Sequence, residues 1–391
     1  MRLLAICDTT QYARPPLDVP SFYRAAAQDP RIAFYHVPTQ QVLAMAASTT
    51  ERVPTVQTAP VHAPLPYADF LQLSRGAHQP LSLDGVDCVF CRTLKPFPAG
   101  YLAQLQRWES HTQFVNRPSG IAQQIQPDFL SQVATPFLPE TLVTTDEPTA
   151  QAFLERHRVV VAKQANSCGG RGVFKVWQED GQVQTDHLLA GRRTFASLSQ
   201  AMVYLRGTTQ QPLQFVRYLR RVHEGDKRIV VVDDEIYGAY LRRSKQGHWV
   251  NNVSGGGECT LATVSDDERW AIQQTALAYR RLSITTLGYD FLMDDDGTWR
   301  ISEINAGNIG GFARLELLTG QPVMQRFIDW LVNTFGARSD NTLQPTGDRQ
   351  LPSAVIPTPT TVPSQPTTRM PLESNASAGT TGFNRSKTPV R

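Results

Sequence analysis

Three oxygen-bearing side chains near residue 300 are spaced in a way that suits metal binding. Glu303 and Asn305 stand two residues apart in a strand-like run, so both would point to one face of a sheet. Asp290 lies in the preceding strand-like run, and segment 294–297 between them ends in Asp-Gly, a strong hairpin signal. The hairpin would place Asp290 opposite Glu303 and Asn305. Such oxygens suit Mg²⁺ shared between protein and phosphates, and the alternative is a solvated acidic turn.

A glycine-rich segment lies between two other strand-like runs and contains Gly169, Gly170 and Gly172. Glycine lets the backbone approach a ligand closely, and successive N–H groups can surround an anion. Lys163, at the end of the first run, adds a positive charge suited to phosphate. No Lys-Ser or Lys-Thr follows the glycines, and a strand rather than a helix comes next, which excludes Walker and dinucleotide motifs. The segment predicts a phosphate site or, alternatively, a glycine-rich hairpin without a ligand.

Charged residues in the third part of the chain add further candidates. Asp226 and Arg228 would share one face of a strand, where a carboxylate can bind ribose hydroxyls and an arginine can bind a phosphoryl or carboxylate group. The arginine pair Arg242 and Arg243 would stabilise charge on a transferred phosphoryl group or a tetrahedral oxyanion. Asn252 would contact a metal ion or phosphate. The alternative for the segment 223–228 is a charged hairpin turn.

Strand and helix patterns predict an α/β (α+β) fold in three units, 1–117, 118–205 and 206–336. Segment 46–80, rich in Pro, Thr, Ala and His, is predicted to be a long loop. Segment 337–391, dominated by Pro, Thr and Ser, is predicted to be a disordered tail because it has few large apolar residues to bury. Ser265 and Glu268 predict a capping box. The predicted strands are 3–7, 32–37, 87–91, 114–115, 159–163, 173–177, 214–218, 228–232, 236–241, 289–293 and 301–305, and the predicted helices are 101–110, 149–157, 265–281 and 322–335.

Composition limits the classes of partner. The net charge of +3 over 391 residues does not favour nucleic-acid or membrane binding. No apolar run is long enough for a membrane helix, and the N-terminal apolar run is too short for a signal peptide. Five scattered cysteines show no disulfide spacing, and Cys88 and Cys91 would face opposite sides of a strand, which favours core packing. These features predict a reduced, cytoplasmic protein.

The order of these motifs resembles that of the ATP-grasp ligases, in particular bacterial glutathione synthetase and the ribosomal-protein glutamate ligase. The resemblance covers about residues 1–335. It rests on the order Lys and Gly loop, Asp-x-Arg, Arg…Asn…Gly-Gly and Asp…Glu-x-Asn, together with several short matching segments. These are Val-Phe-Cys-Arg at 89–92 with Pro-Phe at 96–97, Val-Asn-Arg-Pro at 115–118, Pro-Glu-Thr-Leu-Val-Thr at 139–144, Gly-Asp-Lys-Arg at 225–228 and the segment 242–257.

The resemblance implies an ATP-grasp fold with an N-terminal pre-ATP-grasp domain, a central subdomain carrying the glycine-rich loop and a C-terminal subdomain carrying the metal site. It implies ATP and two Mg²⁺ ions, with Mn²⁺ as an alternative. The implied roles are phosphate binding by Lys163, Gly169, Gly170 and Gly172, adenine binding by the backbone at Val216, Tyr218 and Leu219, ribose binding by Asp226, action at the phosphoryl group by Arg228, Arg243 and Asn252, and metal binding by Asp290, Glu303 and Asn305.

Two departures from the family pattern concern ligands. Asp128 stands where the family has a phosphate-binding lysine, and a glycine-rich segment, 306–311, replaces a substrate-binding run of the synthetase. The second departure implies a different, larger amino-acid or peptide substrate.

The likeness implies a glutathione synthetase-like carboxylate–amine ligase that works through an acyl phosphate on small amino-acid or peptide substrates. γ-Glutamylcysteine and glycine are the first pair to consider. The alternatives are a ligase that adds amino acids to a peptide or protein, and a nucleotide-binding regulatory protein without catalysis. Similar enzymes suggest a homo-oligomer, either a dimer or a tetramer. A dinucleotide-dependent oxidoreductase is disfavoured because no G-x-G-x-x-G follows the first predicted strand.

Overall fold

The computed structural model of this chain describes residues 1–12, 18–45, 53–76, 78–244, 248–251, 257–307 and 309–336. Within these ranges the strands form three sheets that follow one another along the chain. Asn252 and the predicted disordered tail, 337–391, lie outside the described residues. None of the described helices is long and apolar enough to cross a membrane.

The first sheet precedes residue 116 and is mixed. Its strands are β1 (Arg2–Ile6), β2 (Ala33–Val37), β3 (Thr55–Val61), β4 (Gln79–Ser82), β5 (Cys88–Cys91) and β6 (Gln113–Val115). Their order is β4-β3-β2-β1-β5-β6, with β1 parallel to β2 and β5, β5 parallel to β6, and β3 antiparallel to β2 and β4. The first and last residues of the apolar part of β1, Leu3 and Ile6, are fully buried, as expected for a central strand covered on both faces. The accompanying helices are α1 (Asp18–Gln28), α2 (Thr39–Ala44), α3 (Tyr67–Gln72) and α4 (Tyr101–Trp108).

The second sheet is antiparallel and has its own helical layer. After α5 (Pro118–Gln124) and α6 (Phe129–Ala134), the elements are β7 (Thr141–Thr144), α7 (Glu147–His157), β8 (Val159–Lys163), β9 (Val173–Glu179), β10 (Gln182–His187), β11 (Gly191–Phe195), α8 (Leu198–Arg206) and β12 (Leu213–Arg217). The order is β11-β10-β9-β8-β12-β7. β12 therefore belongs to the second sheet although it follows residue 205, where a domain boundary is predicted; the domain division itself stays a prediction.

The third sheet is also antiparallel, with the order β15-β14-β13-β16-β17. Its strands and helices are β13 (Asp226–Val232), β14 (Glu235–Arg243), β15 (Glu258–Ala262), α9 (Asp266–Arg281), β16 (Thr286–Met293), β17 (Trp299–Asn305), α10 (Phe312–Thr319) and α11 (Val323–Phe335). The capping box of Ser265 and Glu268 at the start of α9 is confirmed.

The cores show which sheets are packed together. Phe22 of α1, Phe327 of α11 and Val230 of β13 share one core, so the first and third sheets are joined through α1, α10 and α11. Phe153 of α7 and Phe174 of β9 belong to a different core, which contains only residues of the second sheet and its helices. The second sheet with α7 and α8 therefore forms a separate lobe, and one face of β8 and β9 looks toward the third sheet.

One predicted segment is wrong. Segment 46–80 is not a single long loop, because it contains β3, α3 and β4. Its composition is polar, but Val56, Thr58 and Val61 of β3 are buried against neighbouring strands. Small and β-branched residues can fill buried positions of a strand on either face, and composition alone does not register that pattern. β10, β11 and α8 were also absent from the sequence-based assignment.

Candidate active site

The third sheet carries four charged side chains that form a buried ion-pair cluster, Asp226, Arg228, Arg242 and Asp290. β13 lies between β14 and β16, and the register sets Arg228 beside Asp290 and Asp226 beside Arg242. Arg228 binds Asp290 through two hydrogen bonds, Nε to Oδ1 at 2.5 Å and Nη2 to Oδ2 at 2.9 Å. Arg242 donates to Asp290 Oδ1 at 2.7 Å and, through Nε, to Asp226. The positive charges of two arginines thus balance the negative charges of two carboxylates on one face of the sheet.

The cluster sets the protonation of its two acids differently. Burial raises the pKa of Asp290, but the Arg228 and Arg242 guanidinium groups outweigh it and hold this pKa below the usual value. Burial, opposed by Arg242 and reinforced by Asp290, raises the pKa of Asp226 to about 6. Asp290 is therefore a firmly ionised carboxylate, and Asp226 is the member of the cluster that titrates closest to neutral pH.

The predicted hairpin between β16 and β17 is confirmed. Asp290 lies opposite Glu303, and Asn305 lies opposite Gly288 two pairs further along. The register shifts after Asp290, so Ser302 has no partner in the opposite strand and forms a β-bulge. Bulges redirect side chains and backbone groups at the edges of sites, and this one lies beside the two predicted metal ligands of β17.

The predicted metal ligands are close together but not equally available. Asn305 Nδ2 donates to Asp290 Oδ2 at 3.0 Å, so the amide oxygen of Asn305 is its remaining metal-binding atom. Both oxygens of Asp290 accept hydrogen bonds from arginine, whereas Glu303 is exposed. Among the described residues there is no group of three His, Cys, Asp or Glu side chains arranged to hold a metal. The set contains two carboxylates and one amide, and its metal-binding role stays a prediction.

Lys163 reaches from the second sheet to the third. Its Nζ donates to the backbone oxygen of Ser302 at 2.7 Å. Burial lowers the pKa of Lys163, and the negative charges of Glu303 and Asp290 oppose that shift. The ammonium group of Lys163, on the second sheet, thus lies near the carboxylates of the third sheet. The space that has β8 and β9 on one side and β17 on the other is here called the cleft.

The segment 164–172, here called the glycine loop, closes on itself at its base through Gln164 N to Gly172 O at 2.8 Å. Gly169 and Gly170 have φ of +66° and +76°, which favours glycine. A Cβ on Gly172 would lie 2.6 Å from Ser167 Oγ, too close for any larger residue without rearrangement. The loop backbone is therefore shaped by its glycines, as a phosphate-binding loop requires.

The glycine loop also contacts the segment that follows β5. Cys168 Sγ and Arg171 Nη2 both donate to Lys95 O at 2.9 Å. The backbone N–H of Phe97 donates to Asn166 Oδ1 at 3.3 Å. Beside these contacts is a cavity of about 780 Å³, lined by residues of the glycine loop together with Pro96, Ile125, Gln126, Arg206, Gly207, Thr208, Thr209 and Gln211.

The predicted adenine segment joins β12 to the third sheet. Val216 is buried and paired with β7 and β8, and Tyr218 N donates to Val159 O at 3.2 Å. Leu219 is buried, and its carbonyl accepts from Val222 N at 3.2 Å. The N–H of Tyr218 is thus used within the sheet, and the adenine-binding role of Val216, Tyr218 and Leu219 stays a prediction.

Lys175 is a cleft residue that sequence reasoning missed. It lies opposite Val161 in the β8–β9 pair, while Lys163 lies opposite Val173, so both lysines share the face that looks toward the third sheet. Lys175 Nζ is 4.2 Å from the centre of the Tyr218 ring. Burial lowers its pKa, with Asp186 opposing. Alternation in segment 173–177 was the signal that would have found it.

Of the two neighbouring arginines, Arg242 joins the ion-pair cluster and Arg243 does not, and the catalytic role of Arg243 stays a prediction. Neighbouring residues of a strand point to opposite faces. Arg243 is exposed and its Nε donates to Glu224 O at 2.7 Å, whereas Arg242 is buried between Asp226 and Asp290. The residue predicted to act beside Arg243, Asn252, lies outside the part of the chain that the structure describes.

Two other positions singled out by sequence have clear surroundings. Asp128 is exposed just before α6 and accepts from Gln132 Nε2 at 2.7 Å. Segment 306–311 lies against the cluster, since Arg228 Nη1 donates to Gly310 O at 3.1 Å. Asn116, which the sequence did not single out, ties together the start of β16 and the end of β17. Its amide group binds Thr286 and the carbonyl of Ala306.

Solved structures share this architecture. The crystal structure of D-cycloserine synthetase DcsG matches with a TM-score of 0.57 at 14% identity, covering 85% of this chain and 99% of that one. A RiPP-associated ATP-grasp ligase of Chryseobacterium gregarium, in complex with ADP and a leader and core peptide, matches with a TM-score of 0.54 at 15% identity over 85% and 97% of the two chains. At these identities the likeness defines the fold, and the class of fold is ATP-grasp.

Sequence comparison relates the chain to one group of ATP-grasp proteins. Residues 129–320 match the family described as prokaryotic glutathione synthetase, ATP-grasp domain. The glutathione synthetase of Nostoc sp. (strain PCC 7120 / SAG 25.82 / UTEX 2576) is 26% identical over 257 residues, which are 64% of this chain and 72% of the relative. That of Mesorhizobium japonicum is 26% identical over 264 residues, or 65% and 78%. The segment 129–320 thus matches an ATP-grasp domain, and over a longer stretch the chain is similar to glutathione synthetases.

Proposed function

We propose that this chain is an ATP-dependent carboxylate–amine ligase. The observation that carries the proposal is the position of Lys163. Its ammonium group crosses from one sheet to the bulge at Ser302, next to Glu303 and near Asp290. A triphosphate needs a cation on one side and oxygen ligands for Mg²⁺ on the other, and this cleft brings both kinds of group together.

The residues of the cleft fit a magnesium nucleotide. Glu303 and the amide oxygen of Asn305 are hard oxygen ligands beside an ionised Asp290. Mg²⁺ bound there would offset the negative charge that develops on the transferred phosphoryl group. Arg228 and Arg242 hold Asp290 in place, and their positive charge faces the same side of the sheet. Lys163 and Lys175 would neutralise phosphate from the second sheet.

The chemistry needs no nucleophile from the protein. A substrate carboxylate oxygen forms a bond to the γ-phosphorus as the bond to ADP breaks, which gives an acyl phosphate. An amine then attacks the acyl carbon, phosphate leaves, and the amine proton passes to solvent. The chain has to position the groups, stabilise charge and keep water out of the cleft. Cys168, whose thiol donates to Lys95 O, serves the loop structure rather than catalysis.

The acid and amine are open within this class. The curated relatives are named glutathione synthetase, which favours γ-glutamylcysteine and glycine as the first pair to test. The glycine-rich segment 306–311 beside Arg228 favours a larger amino-acid or peptide substrate, and the Chryseobacterium ligase is described with leader and core peptides. An exposed Asp128 in place of a lysine favours the second candidate function, a nucleotide-binding regulator without catalysis.

One experiment separates these proposals. The full chain is mixed with Mg-ATP and a panel of γ-glutamylcysteine, glycine, amino acids and peptides, and ADP and phosphate release are measured alongside nucleotide binding by calorimetry. Substrate-dependent release supports the ligase and identifies its substrates. Nucleotide binding without release by any acid–amine pair supports the regulator. Absence of nucleotide binding contradicts both.

A further inference from the structure

The outer face of α9 carries two large apolar side chains. Trp270 and Leu277 are 56% and 51% exposed, although the inner face of the same helix is packed on the third sheet through Ile272 and Tyr279. Trp270 and Leu277 are seven residues apart, about two helical turns, so they lie one above the other. Apolar groups aligned in this way on a helix surface mark an interaction site more often than single exposed ones do.

The charges of α9 are arranged around this pair. The residues Asp267, Trp270, Gln274, Leu277 and Arg281 are each three or four positions apart, and all are exposed, so they form one stripe along the helix. An acidic group stands at the beginning of the stripe and a basic group at its end. When the stripe is turned end to end about Gln274, Asp267 takes the place of Arg281, and Trp270 takes the place of Leu277.

We propose that α9 is a self-recognition surface on which a second copy of this chain packs with its own α9 antiparallel, about a twofold axis near the middle of the helix. A twofold interface requires a patch that is complementary to itself, and the stripe has that property. Trp270 would contact Leu277 of the second copy, and Asp267 would pair with Arg281 of the second copy. The symmetry repeats both contacts.

The antiparallel arrangement follows from the charges. A parallel pair of helices would set Asp267 against Asp267 and Arg281 against Arg281, and both contacts are repulsive. Antiparallel helices also oppose their dipoles favourably. Arg280 is already paired with Asp234 within the chain, so Arg281 is the arginine of the last turn that the interface uses. The stripe lies on the side of the helix away from the third sheet, so the proposal does not depend on nucleotide binding in the cleft.

The test compares oligomeric state among charge variants of the full chain by sedimentation velocity over a range of protein concentrations. The unaltered chain is expected to be a dimer at micromolar concentration. Arg281→Asp should raise the dimer dissociation constant at least tenfold, because it opposes Asp267 of the second copy. Arg269→Asp is the matched control, since it makes the same charge change on the same helix but off the stripe, and it should leave the dimer intact.

A charge exchange makes the test specific to this register. Asp267→Arg combined with Arg281→Asp should restore the dimer lost in Arg281→Asp, and Trp270→Ser should weaken it whatever the salt concentration. Far-UV circular dichroism and ATP turnover verify that each variant is folded. A monomeric unaltered chain, a dimer insensitive to Arg281→Asp, or a folded charge-exchange variant that stays monomeric would each overturn the proposal.

Discussion

The two walls of the cleft are built differently. On the third sheet, the ion-pair cluster sits on inner strands, and each of its four side chains is at least 87% buried with hydrogen bonds to oppositely charged partners. On the second sheet, residues 164–171 of the glycine loop are half-buried or exposed. The contacts of the loop with the segment after β5 are hydrogen bonds from Cys168, Arg171 and Phe97.

Because of this difference, we expect the two walls to differ in rigidity and in function. Breaking a buried ion pair leaves a buried charge without a partner, so rearranging the third-sheet wall requires a large free energy. A surface loop with few apolar contacts opens at much lower free energy. We therefore expect the cluster to fix the position of Asp290 and its neighbours before a ligand binds, and the glycine loop to adjust when it binds. Variants of the first wall should lose stability and activity together, and variants of the second should lose mainly affinity.

Asp290→Asn is expected to have the largest effect. Removal of this charge leaves Arg228 and Arg242 buried beside a neutral side chain, which should lower the free energy of unfolding by about 3–5 kcal/mol. Activity should be lost as well. Urea unfolding and substrate-dependent ADP release measure the two effects.

The matched control for that variant is Asp294→Asn. Asp294 is buried in the same hairpin and bound by Arg217 and Arg300, which are partly exposed. Its substitution should cost less stability, because solvent can compensate those arginines, and should leave ADP release in place. Equal unfolding free energies for Asp290→Asn and the unaltered chain would contradict the view that the cluster is a rigid wall.

Glu303→Gln tests the metal role without disturbing the cluster. Glu303 is exposed and makes no part of the arginine pairing, so the free energy of unfolding should change by less than about 0.5 kcal/mol. Activity should fall about 100-fold or more, since a metal-bound oxygen contributes several kcal/mol to such a reaction. Glu179→Gln, an exposed change on the second sheet, is the control. Normal turnover by Glu303→Gln would remove Glu303 from the proposed site.

Local pattern was enough to predict much of this site. The two-residue period and the Asp-Gly turn correctly placed Asp290 opposite Glu303, and Lys163 correctly ends a strand before the glycine loop. Ser265 correctly begins α9 because capping depends on neighbours in sequence. These features are all determined within a few residues of chain.

Features that depend on distant strands were not predictable in the same way. Choosing Arg242 over Arg243 requires the register of β14 against β13, and that register is a tertiary property. The bulge at Ser302 and the saturation of Asp290 by two arginines depend on three neighbouring strands at once. A single sequence contains no local signal for such a convergence.

Substitution of Lys163 and Lys175 tests how much the second-sheet wall contributes to nucleotide binding. Lys163→Met should weaken ADP binding about 10- to 100-fold, the value of a charged hydrogen bond. Lys175→Met should weaken it less, because Lys175 rests over the Tyr218 ring rather than beside the carboxylates. Calorimetry with both variants gives the order. If neither substitution changed the affinity for ADP, the cleft would not be the nucleotide site.

Asp226 gives the cluster a pH dependence of known sign. Its pKa is raised by burial to about 6 in the folded chain, above the value of about 3.9 for an unfolded aspartate. The folded state therefore binds this proton more tightly, and the contribution to stability that is present below about pH 4 is lost as pH rises through 6. Asp226→Asn should remove that part of the profile. Unfolding curves of both proteins between pH 4 and 7 test it, and parallel profiles would contradict the assignment.

Arg171→Ala should have the smallest effect and the most local one. It removes the bond to Lys95 O, but the Cys168 bond to the same oxygen remains, so the free energy of unfolding should change by less than about 0.5 kcal/mol. The glycine loop should exchange its amide hydrogens faster, and the KM for ATP should rise a few-fold while kcat changes little. Arg193→Ala, an exposed change on β11, controls for loss of an arginine from the same lobe. If Arg171→Ala instead destabilised the protein as much as Asp290→Asn, the two walls would not differ in rigidity, and the glycine loop would have to be regarded as a fixed part of the fold.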